Sequence, residues 1–368
     1  MNILLLSWRD PKNPRSGGAE YVTLEHAKGW VKRGDMVTWF AAMYSGAKNE
    51  EIVKGVHIVR RGNVVSVFMW AMLYYLSKRS SVDLIIDQVH GIPFFAVMYA
   101  KVPVVLFLHE IAGKIWDVMY GAPVRWIGKL LERLFLYVYR NHMIWTDANS
   151  TVDELVYYGI SRSNCIAIPC PIQEYTSLYQ KKKNKVFTCI SVGRIVRMKR
   201  IEDIIVSFAE VARSVPLAKL LIVGSGDLTY TTKLRQLGTS LGLSDAIVWC
   251  GKVSELEKRK LLSKSHILLH TSYKEGWGLV VLEAARERVP SVVYPVSGLV
   301  DTVKNGETGI ITKRENPHDL AVEVIRLYKD TKRYRYMQKN AFEWSNSFRW
   351  DEAVDESRAF LQKAYEAQ

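Results

Sequence analysis

The stretch that decides the fold of this chain is His266-Ile-Leu-Leu-His270, followed after a short gap by Glu275-Gly-Trp-Gly-Leu-Val-Val-Leu-Glu283. The first run is short and apolar, as in a buried strand, and the second becomes helical after its two glycines. Glycines let the backbone come close to a ligand, and the free N–H groups at a helix start favour an anion. Glu275 and Glu283 can accept hydrogen bonds from sugar or ribose hydroxyls. The stretch therefore predicts a strand–loop–helix unit that binds a phosphorylated, hydroxyl-rich ligand.

On both sides of this stretch, short β-rich apolar runs alternate with longer helical patterns. This alternation is typical of doubly wound parallel sheets, which bind ligands at the carboxyl ends of their strands. We therefore predict an α/β protein with two Rossmann-like domains that face each other across a cleft. The predicted strands are 2–7, 36–41, 56–60, 83–86, 103–108 and 143–146 in the first half, and 186–192, 218–223, 246–250, 266–270, 291–294 and 309–311 in the second. Helical patterns fill the gaps between the strands, notably at 19–32, 124–140, 151–158, 201–214, 230–241, 278–288, 317–329 and 334–345.

The length of the chain, 368 residues, suits two domains of ordinary size. We place the N-terminal domain at residues 1–172 and the C-terminal domain at 173–349. The hinge between them is predicted from Ile168-Pro-Cys-Pro-Ile172 through the lysine-rich stretch that ends at Lys185.

Composition narrows the class of protein. A net charge of +14 permits nucleic acid, an anionic membrane surface or phosphorylated ligands as partners. The charge is spread along the chain, and we expect no nucleic-acid partner. The four cysteines lack zinc-ligand spacing, which favours buried thiols in a reducing compartment. We see no secretory leader and no stretch long and apolar enough to span a membrane. Scarce Asn and Gln with plentiful Lys and Arg suggest a thermophilic source.

Glycine loops and cations after the first strand of each half form the next candidate sites. Gly17 and Gly18 lie before the helix predicted from Ala19, where N–H groups could face an anion, although a flexible turn has the same pattern. Arg194 and Lys199 follow the first strand of the second half and could clamp a diphosphate, although two surface cations are the commoner explanation. The loop Val223-Gly-Ser-Gly-Asp227 lacks the third glycine of a dinucleotide fingerprint.

His109 is the last candidate in the first half, directly after the strand predicted at 103–108. A histidine at the carboxyl end of a parallel strand could contact a sugar hydroxyl, whereas a hydrogen-bonded packing histidine is the alternative.

Taken together, these motifs resemble those of glycosyltransferase family 4, retaining enzymes of the GT-B fold. The resemblance covers nearly the whole chain and includes Ile168-Pro169, Gly251-Lys252-Val253 and Asn305-Gly-Glu-Thr-Gly309. It implies that Arg194 and Lys199 bind the donor diphosphate, that Glu275 holds the donor sugar, and that Glu283 binds the ribose. It also implies that the final helix, 350–368, returns to the N-terminal domain. The remaining implied contacts are the backbone of Gly276, Trp277, Gly278, Leu279 and Val280 with the phosphates, Val253 with the base, Gly17 and Gly18 with the phosphates from the opposite domain, and His109 beside the transferred sugar.

The resemblance also shapes the expected chemistry. We find no aspartate–x–aspartate metal motif after a strand, so we expect no metal or other cofactor, with the cations and the helix start holding the diphosphate. Glu275 would bind outer sugar hydroxyls and would be badly placed to attack the anomeric carbon. By analogy with the family, we expect same-face substitution, in which the departing phosphate oxygen accepts the acceptor's proton.

The predicted helix 124–140 bears on the acceptor, because its charges lie on one narrow face and the rest of it is apolar. A helix packed into the core has this pattern, and so does an interfacial helix with apolar side chains in lipid and basic ones on headgroups. We favour the second interpretation and a lipid-linked acceptor, with the protein cytoplasmic and peripheral at the inner face of the cell membrane. The candidate membrane or acceptor residues are Trp116, Arg125, Trp126, Lys129 and Arg133.

The donor and the rival functions stay open. Family members with a Gly-Gly-Ala-Glu loop include mannosyltransferases, so we favour GDP-mannose over UDP-glucose and UDP-N-acetylglucosamine. A soluble enzyme of the same fold that acts on a sugar or polysaccharide is the nearest alternative. A nucleotide-sugar epimerase and a non-catalytic nucleotide-sugar-binding protein are the others.

Overall fold

The computed structural model of the chain describes residues 1–173, 175–179 and 183–367. The chain divides into two compact units, and the first comprises Met1–Trp116, Ala122–Cys170 and Arg349–Gln368. The second comprises Asp117–Gly121 and Pro171–Phe348. The predicted hinge includes four residues outside the described part of the chain, namely Glu174, Gln180, Lys181 and Lys182.

The first unit contains an eight-stranded sheet in the order β3-β4-β2-β1-β5-β6-β7-β8, parallel except for the antiparallel edge pair of β3 and β4. Its strands are β1 (Asn2–Leu6), β2 (Met36–Ala41), β3 (Glu50–Val53), β4 (Val56–Arg60), β5 (Leu84–Val89), β6 (Val104–Leu108), β7 (Met143–Thr146) and β8 (Cys165–Ala167). The helices along this part of the chain are α1 (Gly18–Lys32), α2 (Val67–Lys78), α3 (Ile115–Met119), α4 (Val124–Tyr139) and α5 (Asn149–Tyr157).

The second unit contains a six-stranded parallel sheet in the order β11-β10-β9-β12-β13-β14. Its strands are β9 (Thr188–Val192), β10 (Lys219–Val223), β11 (Ile247–Gly251), β12 (Ile267–His270), β13 (Ser291–Val293) and β14 (Gly309–Ile311). Its helices are α6 (Ile201–Ser214), α7 (Leu228–Ser240), α8 (Glu255–Lys264), α9 (Leu279–Arg286), α10 (Leu299–Thr302), α11 (Pro317–Lys329) and α12 (Thr331–Asn346), and the last helix of the chain is α13 (Trp350–Glu366).

Helix α13 belongs to the first unit, where it packs against α1. The hydroxyl of Ser357 lies 2.9 Å from Nδ1 of His26 and accepts a hydrogen bond of 3.0 Å from the indole of Trp30. All three side chains are fully buried. Burial removes the imidazole from water and lowers the pKa of His26 to about 3, with the nearby charge of His109 adding to the effect.

The two units follow from the alternation of short apolar strand patterns with longer helical patterns in the sequence. All twelve predicted strands are present, because each is a β-rich apolar run long enough to be buried between layers of helices. The prediction of an α/β fold with two doubly wound parallel sheets is confirmed. Two edge strands, β3 and β8, were missed, since β3 begins with two glutamates and β8 has only three residues. A short 3₁₀ turn at Ala96–Met98 precedes β6.

Candidate functional site

The candidate site in the second unit centres on Glu275, in the loop between β12 and α9. One oxygen of its carboxylate, Oε1, accepts hydrogen bonds from the ammonium of Lys199, from Nε2 of His270 at 2.7 Å and from the hydroxyl of Ser272 at 2.5 Å. His270 is the last residue of β12, and Lys199 ends the 3₁₀ turn Arg197–Lys199 that follows β9. The strands β9 and β12 are parallel neighbours, so both donors lie at the carboxyl ends of the strands, on the same side of the sheet.

The backbone holds this arrangement in place. The hydroxyl of Thr271 donates to the carbonyl of Lys199 at 3.0 Å, and the N–H of Tyr273 donates to that of Met198 at 2.9 Å. Gly298, with φ of +80°, lies against Glu275, and a Cβ there would be 2.3 Å from the Glu275 carbonyl oxygen. Only glycine fits this position without displacing Glu275.

The charge state of Glu275 follows from these neighbours. Burial alone would raise the pKa of the carboxyl, but the charges of Lys199 and His270, together with their hydrogen bonds, hold it well below its usual range. The carboxylate is therefore ionised at neutral pH. Since all three donors reach Oε1, no donor in the described part of the chain occupies Oε2, which is available to accept a ligand hydroxyl.

The glycine-spaced loop after Glu275 leads directly into α9. Gly278 is the N-cap of the helix, and the first helical bond runs from the N–H of Val281 to the carbonyl of Gly278 at 2.8 Å. The N–H groups of Leu279 and Val280 precede that bond, at the positive end of the helix dipole. Gly276 precedes the buried Trp277, whose ring contacts Phe348 edge-on at 5.5 Å. The predicted phosphate-binding backbone therefore lies at a helix start.

Glu283, the second glutamate, lies in α9 and is held by Lys258 of α8. The ammonium of Lys258 lies 3.0 Å from Oε1 and 2.9 Å from Oε2 of Glu283, and it also pairs with Glu255 at 2.7 Å. Burial raises the pKa of Glu283 above its ordinary value, although Lys258 opposes the shift. Helix α8 begins shortly after Val253, so this ion pair connects the predicted ribose-binding residue to the helix that follows the predicted base-lining residue.

Arg194 lies in the loop that joins β9 to the Lys199 turn. The loop runs beside the one after β10, where a Cβ at Gly224 would lie 1.8 Å from the carbonyl oxygen of Gly193. The Gly-Ser-Gly sequence after β10 thus serves close backbone packing in this structure. The guanidinium of Arg194 is exposed, and no ion pair holds it among the described residues.

In the first unit, Gly17 and Gly18 begin α1. The N–H of Gly17 donates to Oε2 of Glu20 at 2.6 Å, so this donor is already paired within the helix start. Glu20 is buried, and its other oxygen lies 2.8 Å from Nε of Arg9 and 3.3 Å from Nε2 of His90. Glu20 therefore fixes the glycine loop from within the fold, a role that the sequence pattern did not indicate.

His109 follows β6 and is hydrogen-bonded through both ring nitrogens. Its Nδ1 lies 2.6 Å from Oδ2 of Asp147, and its Nε2 lies 2.8 Å from the amide nitrogen of Gln88, which also donates to Thr23 at 2.7 Å. Burial alone would lower the pKa of His109, but Asp147 raises it above the ordinary value. These contacts match the packing alternative considered for this histidine, and its place beside a sugar stays a prediction.

Helix α4 carries the predicted membrane residues and exposes its apolar side. Its one acidic residue, Glu132, is buried and accepts the N–H groups of Ala112 and Gly113 at 2.6 and 2.9 Å. Arg133 is exposed, Arg125 and Lys129 are half-buried, and the half-buried Trp116 packs on α4 at Gly128. Trp126 and Leu130 are 60% and 68% exposed. The exposed apolar residues of this helix, called the α4 stripe below, are Val124, Trp126, Ile127, Leu130, Leu134 and Tyr137.

The structure thus brings together Lys199 with Glu275, and it adds partners that the sequence analysis missed. His270 and Ser272 were visible only as the end of a strand and the loop after it, and Lys258 as one of many lysines. Asp147 and Gln88 were hidden because Asp147 follows β7 and Gln88 lies within β5, both remote in sequence from His109. Within the described residues, no group of three or more His, Cys, Asp or Glu side chains is arranged to hold a metal ion. Over the same residues, no helix is long and apolar enough to cross a membrane.

Comparison with known proteins places this geometry in a family context. Residues 16–174 match the Glycosyltransferase Family 4 model, and residues 178–344 match the Glycosyl transferases group 1 model. N-acetyl-alpha-D-glucosaminyl L-malate synthase of Bacillus anthracis is 32% identical over 154 residues, which are 42% of this chain and 39% of that protein. The chain therefore spans well under two thirds of the length of this curated relative.

Solved structures are similar over the whole chain. Sucrose-phosphate synthase of Thermosynechococcus elongatus has a TM-score of 0.82 at 18% identity, with 100% of both chains covered. Anabaena HepE in complex with UDP-glucose has a TM-score of 0.75 at 18% identity, with 98% of this chain and 100% of that chain covered. The chain therefore has the GT-B glycosyltransferase fold, in which the N-terminal part matches Glycosyltransferase Family 4 and the C-terminal part matches Glycosyl transferases group 1.

Proposed function

We propose that the protein is a glycosyltransferase that takes a hexose from a nucleotide sugar. The observation that carries this proposal is the ionised carboxylate of Glu275, held through Oε1 by Lys199, His270 and Ser272 beside the start of α9. A fixed carboxylate with one available oxygen suits the hydroxyls of a sugar, and a helix start suits its diphosphate. Glu283, eight positions further along the chain, then suits the ribose.

The two cations, Arg194 and Lys199, would act on the diphosphate. Arg194, exposed and without an ion pair in the described part of the chain, would bind the diphosphate through its planar fork of donors. Lys199 has three N–H donors and pairs with Glu275 through one of them, so it can contact sugar-binding carboxylate and phosphate together. As the sugar–phosphate bond breaks, both cations and the N–H groups of Leu279 and Val280 would stabilise the charge that develops on the diphosphate.

We further propose retention by same-face substitution without a metal ion. Glu275 is fixed by three donors as a hydroxyl acceptor, and the same contacts hold it away from the role of a mobile nucleophile. The departing phosphate oxygen would accept the acceptor's proton as the new glycosidic bond forms. The cations and the α9 start would supply the charge stabilisation that a metal ion supplies elsewhere.

For the substrates, we propose GDP-mannose as donor and a lipid-linked acceptor, with the protein peripheral at the inner face of the cell membrane. The α4 stripe supports the membrane location, because it exposes large apolar side chains on a helix whose exposed charge is basic. A soluble enzyme that uses UDP-glucose on a sugar acceptor is the second candidate. It is favoured by the likeness of the fold to HepE, whose structure contains UDP-glucose.

A thermal-shift panel of UDP, GDP, ADP, UDP-glucose and GDP-mannose with EDTA present tests the proposal. A ligand at about 100 times its Kd stabilises the folded state by about 2.7 kcal/mol, which is readily detected. We expect shifts with GDP and GDP-mannose. Shifts with the uridine ligands alone would keep the glycosyltransferase and replace the donor, whereas no shift with any ligand would overturn the proposed function.

A further inference from the structure

Helix α2 in the first unit exposes an apolar face of its own. Val67, Ala71 and Tyr75 are buried against the sheet, whereas Met69 and Leu73 on the opposite side are 52% and 43% exposed. Single exposed apolar residues are normal, but a row of them along about two helical turns marks an interaction surface. The exposed apolar residues of this helix, called the α2 stripe below, are Met69, Trp70, Leu73 and Leu76.

The α2 and α4 stripes lie in the same layer of the first unit. The buried sides of both helices contribute to one core cluster on one face of the sheet. The segment after β5 links the two helices. The ring of Phe94 lies 4.8 Å from that of Phe68 in α2, and its backbone N–H donates at 2.7 Å to Asp87, which also accepts a hydrogen bond from the hydroxyl of Tyr139 in α4. Met98, in the same connecting chain, is 74% exposed. Two helices packed on one sheet face direct their opposite sides outward together.

The charges around these stripes indicate which kind of partner is complementary to this surface. Helix α2 contains no acidic residue, and the one acidic residue of α4, Glu132, is buried. Exposed basic residues flank the apolar surface at Lys78 and Arg79, after the α2 stripe, and at Arg133 beside the α4 stripe. An apolar plane with a basic margin and no exposed carboxylate on either helix is complementary to a bilayer with anionic headgroups.

We propose that α2 is a second membrane anchor, which enters the same anionic lipid monolayer as α4. The inference rests on the membrane location proposed above and extends it from one helix to a two-helix surface. A folded unit anchored by one interfacial helix can rotate about the axis of that helix. Two anchoring helices in one layer fix the face that the unit presents to the bilayer. The sheet of the first unit is thereby held at a defined angle to the lipid bilayer.

Vesicle flotation of the full chain tests this inference with 70:30 phosphatidylcholine and phosphatidylglycerol vesicles, and with phosphatidylcholine alone. The variants are Met69→Ser/Leu73→Ser on α2 and Leu130→Ser/Leu134→Ser on α4. The matched control, Leu228→Ser/Leu256→Ser, removes two exposed leucines from the second unit. Because all these side chains are exposed, the folded state should keep its melting temperature. We expect each stripe variant to lower the lipid partition coefficient at least about tenfold, and the control to leave it unchanged.

Each alternative outcome has a distinct meaning. Loss of binding in the α4 variant with wild-type binding in the α2 variant would overturn the second anchor and keep the membrane location. No binding by the wild-type chain to anionic vesicles would overturn both, without affecting the nucleotide-sugar site, which the thermal-shift panel tests separately. A wild-type dimer in light scattering that the α2 variant converts to a monomer would show that a second copy, not lipid, covers α2.

Discussion

Replacing Glu275 by glutamine should destabilise the second unit by about 3 kcal/mol at pH 7. The amide keeps the shape of the carboxylate but removes the charge that receives hydrogen bonds from Lys199, His270 and Ser272. A hydrogen bond to a charged group contributes about 1 kcal/mol more than one to a neutral group, and there are three of them. The ammonium of Lys199 is also left without its partner, in a position where its side chain is only 15% exposed.

The assay for this prediction is hydrogen exchange of the backbone amides in β9 and β12, which reports the opening of the second unit separately from the first. About 3 kcal/mol corresponds to roughly a hundredfold faster exchange. The matched control is Glu257→Gln, an exposed glutamate of the same unit whose lysine partner is 3.8 Å away, and it should change exchange by less than about threefold. Equal exchange in Glu275→Gln and wild type would refute the reasoning that the cluster is held by the Glu275 charge.

The pH dependence gives a second check on the same variant. The pKa of Glu275 is lower in the folded state than its ordinary value of 4.5, so its stabilisation is fully present above that value. It is lost as the pH falls below 4.5 towards the folded-state pKa. The difference in stability between wild type and Glu275→Gln should therefore shrink below about pH 4.5, and a difference that grows at low pH would contradict the assignment.

Three further predictions concern the other candidate residues. Lys258→Met should raise the Kd of the ribonucleoside diphosphate about tenfold in calorimetry, because Glu283 loses the cation that holds it. It should affect the 2′,3′-dideoxy analogue much less, and equal effects on both ligands would contradict a ribose-binding role for Glu283. Arg194→Ala should abolish turnover and weaken diphosphate binding at least about tenfold. The melting temperature should not fall, since the side chain is exposed. Unchanged turnover would show that Arg194 is not part of the site. Asp147→Asn should lower the pKa of His109 in an NMR titration, because burial is then opposed only by the weaker effects of Glu20 and Glu110. An unchanged pKa would show that Asp147 does not raise it.

Much of the fold was predictable because each buried parallel strand is a short apolar run bounded by helical patterns, as at β9 and β12. What failed lies where periodicity is weak. The edge strand β3 is partly polar, and the bounds of α2 were not predicted because apolar residues on its exposed side mask the helical period. The same masking hid the α2 stripe as a surface.

For the candidate site, the sequence predicted Glu275, Glu283, Arg194 and Lys199, but it did not indicate that His270, Ser272 and Lys258 contact the two glutamates. His270 and Lys258 act through contacts made in three dimensions, and neither stands in a spacing that distinguishes it from a packing histidine or a surface lysine. Periodicity carries information about burial, whereas a pairing between two loops depends on strand order, which the sequence alone does not fix.

The most direct test of the central claim is calorimetric titration of GDP-mannose, UDP-glucose and the matching nucleoside diphosphates into wild type, Glu275→Gln and Glu283→Gln. We predict that Glu275→Gln weakens the preferred nucleotide sugar about tenfold or more and weakens the diphosphate much less, because the proposed contact of Glu275 with the ligand is to the sugar, and its link to the diphosphate runs only through Lys199. Glu283→Gln should weaken both ligands to a similar extent, because both contain the ribose. Equal weakening of sugar-bearing and sugar-free ligands by Glu275→Gln, or no binding to the wild-type chain, would contradict the account.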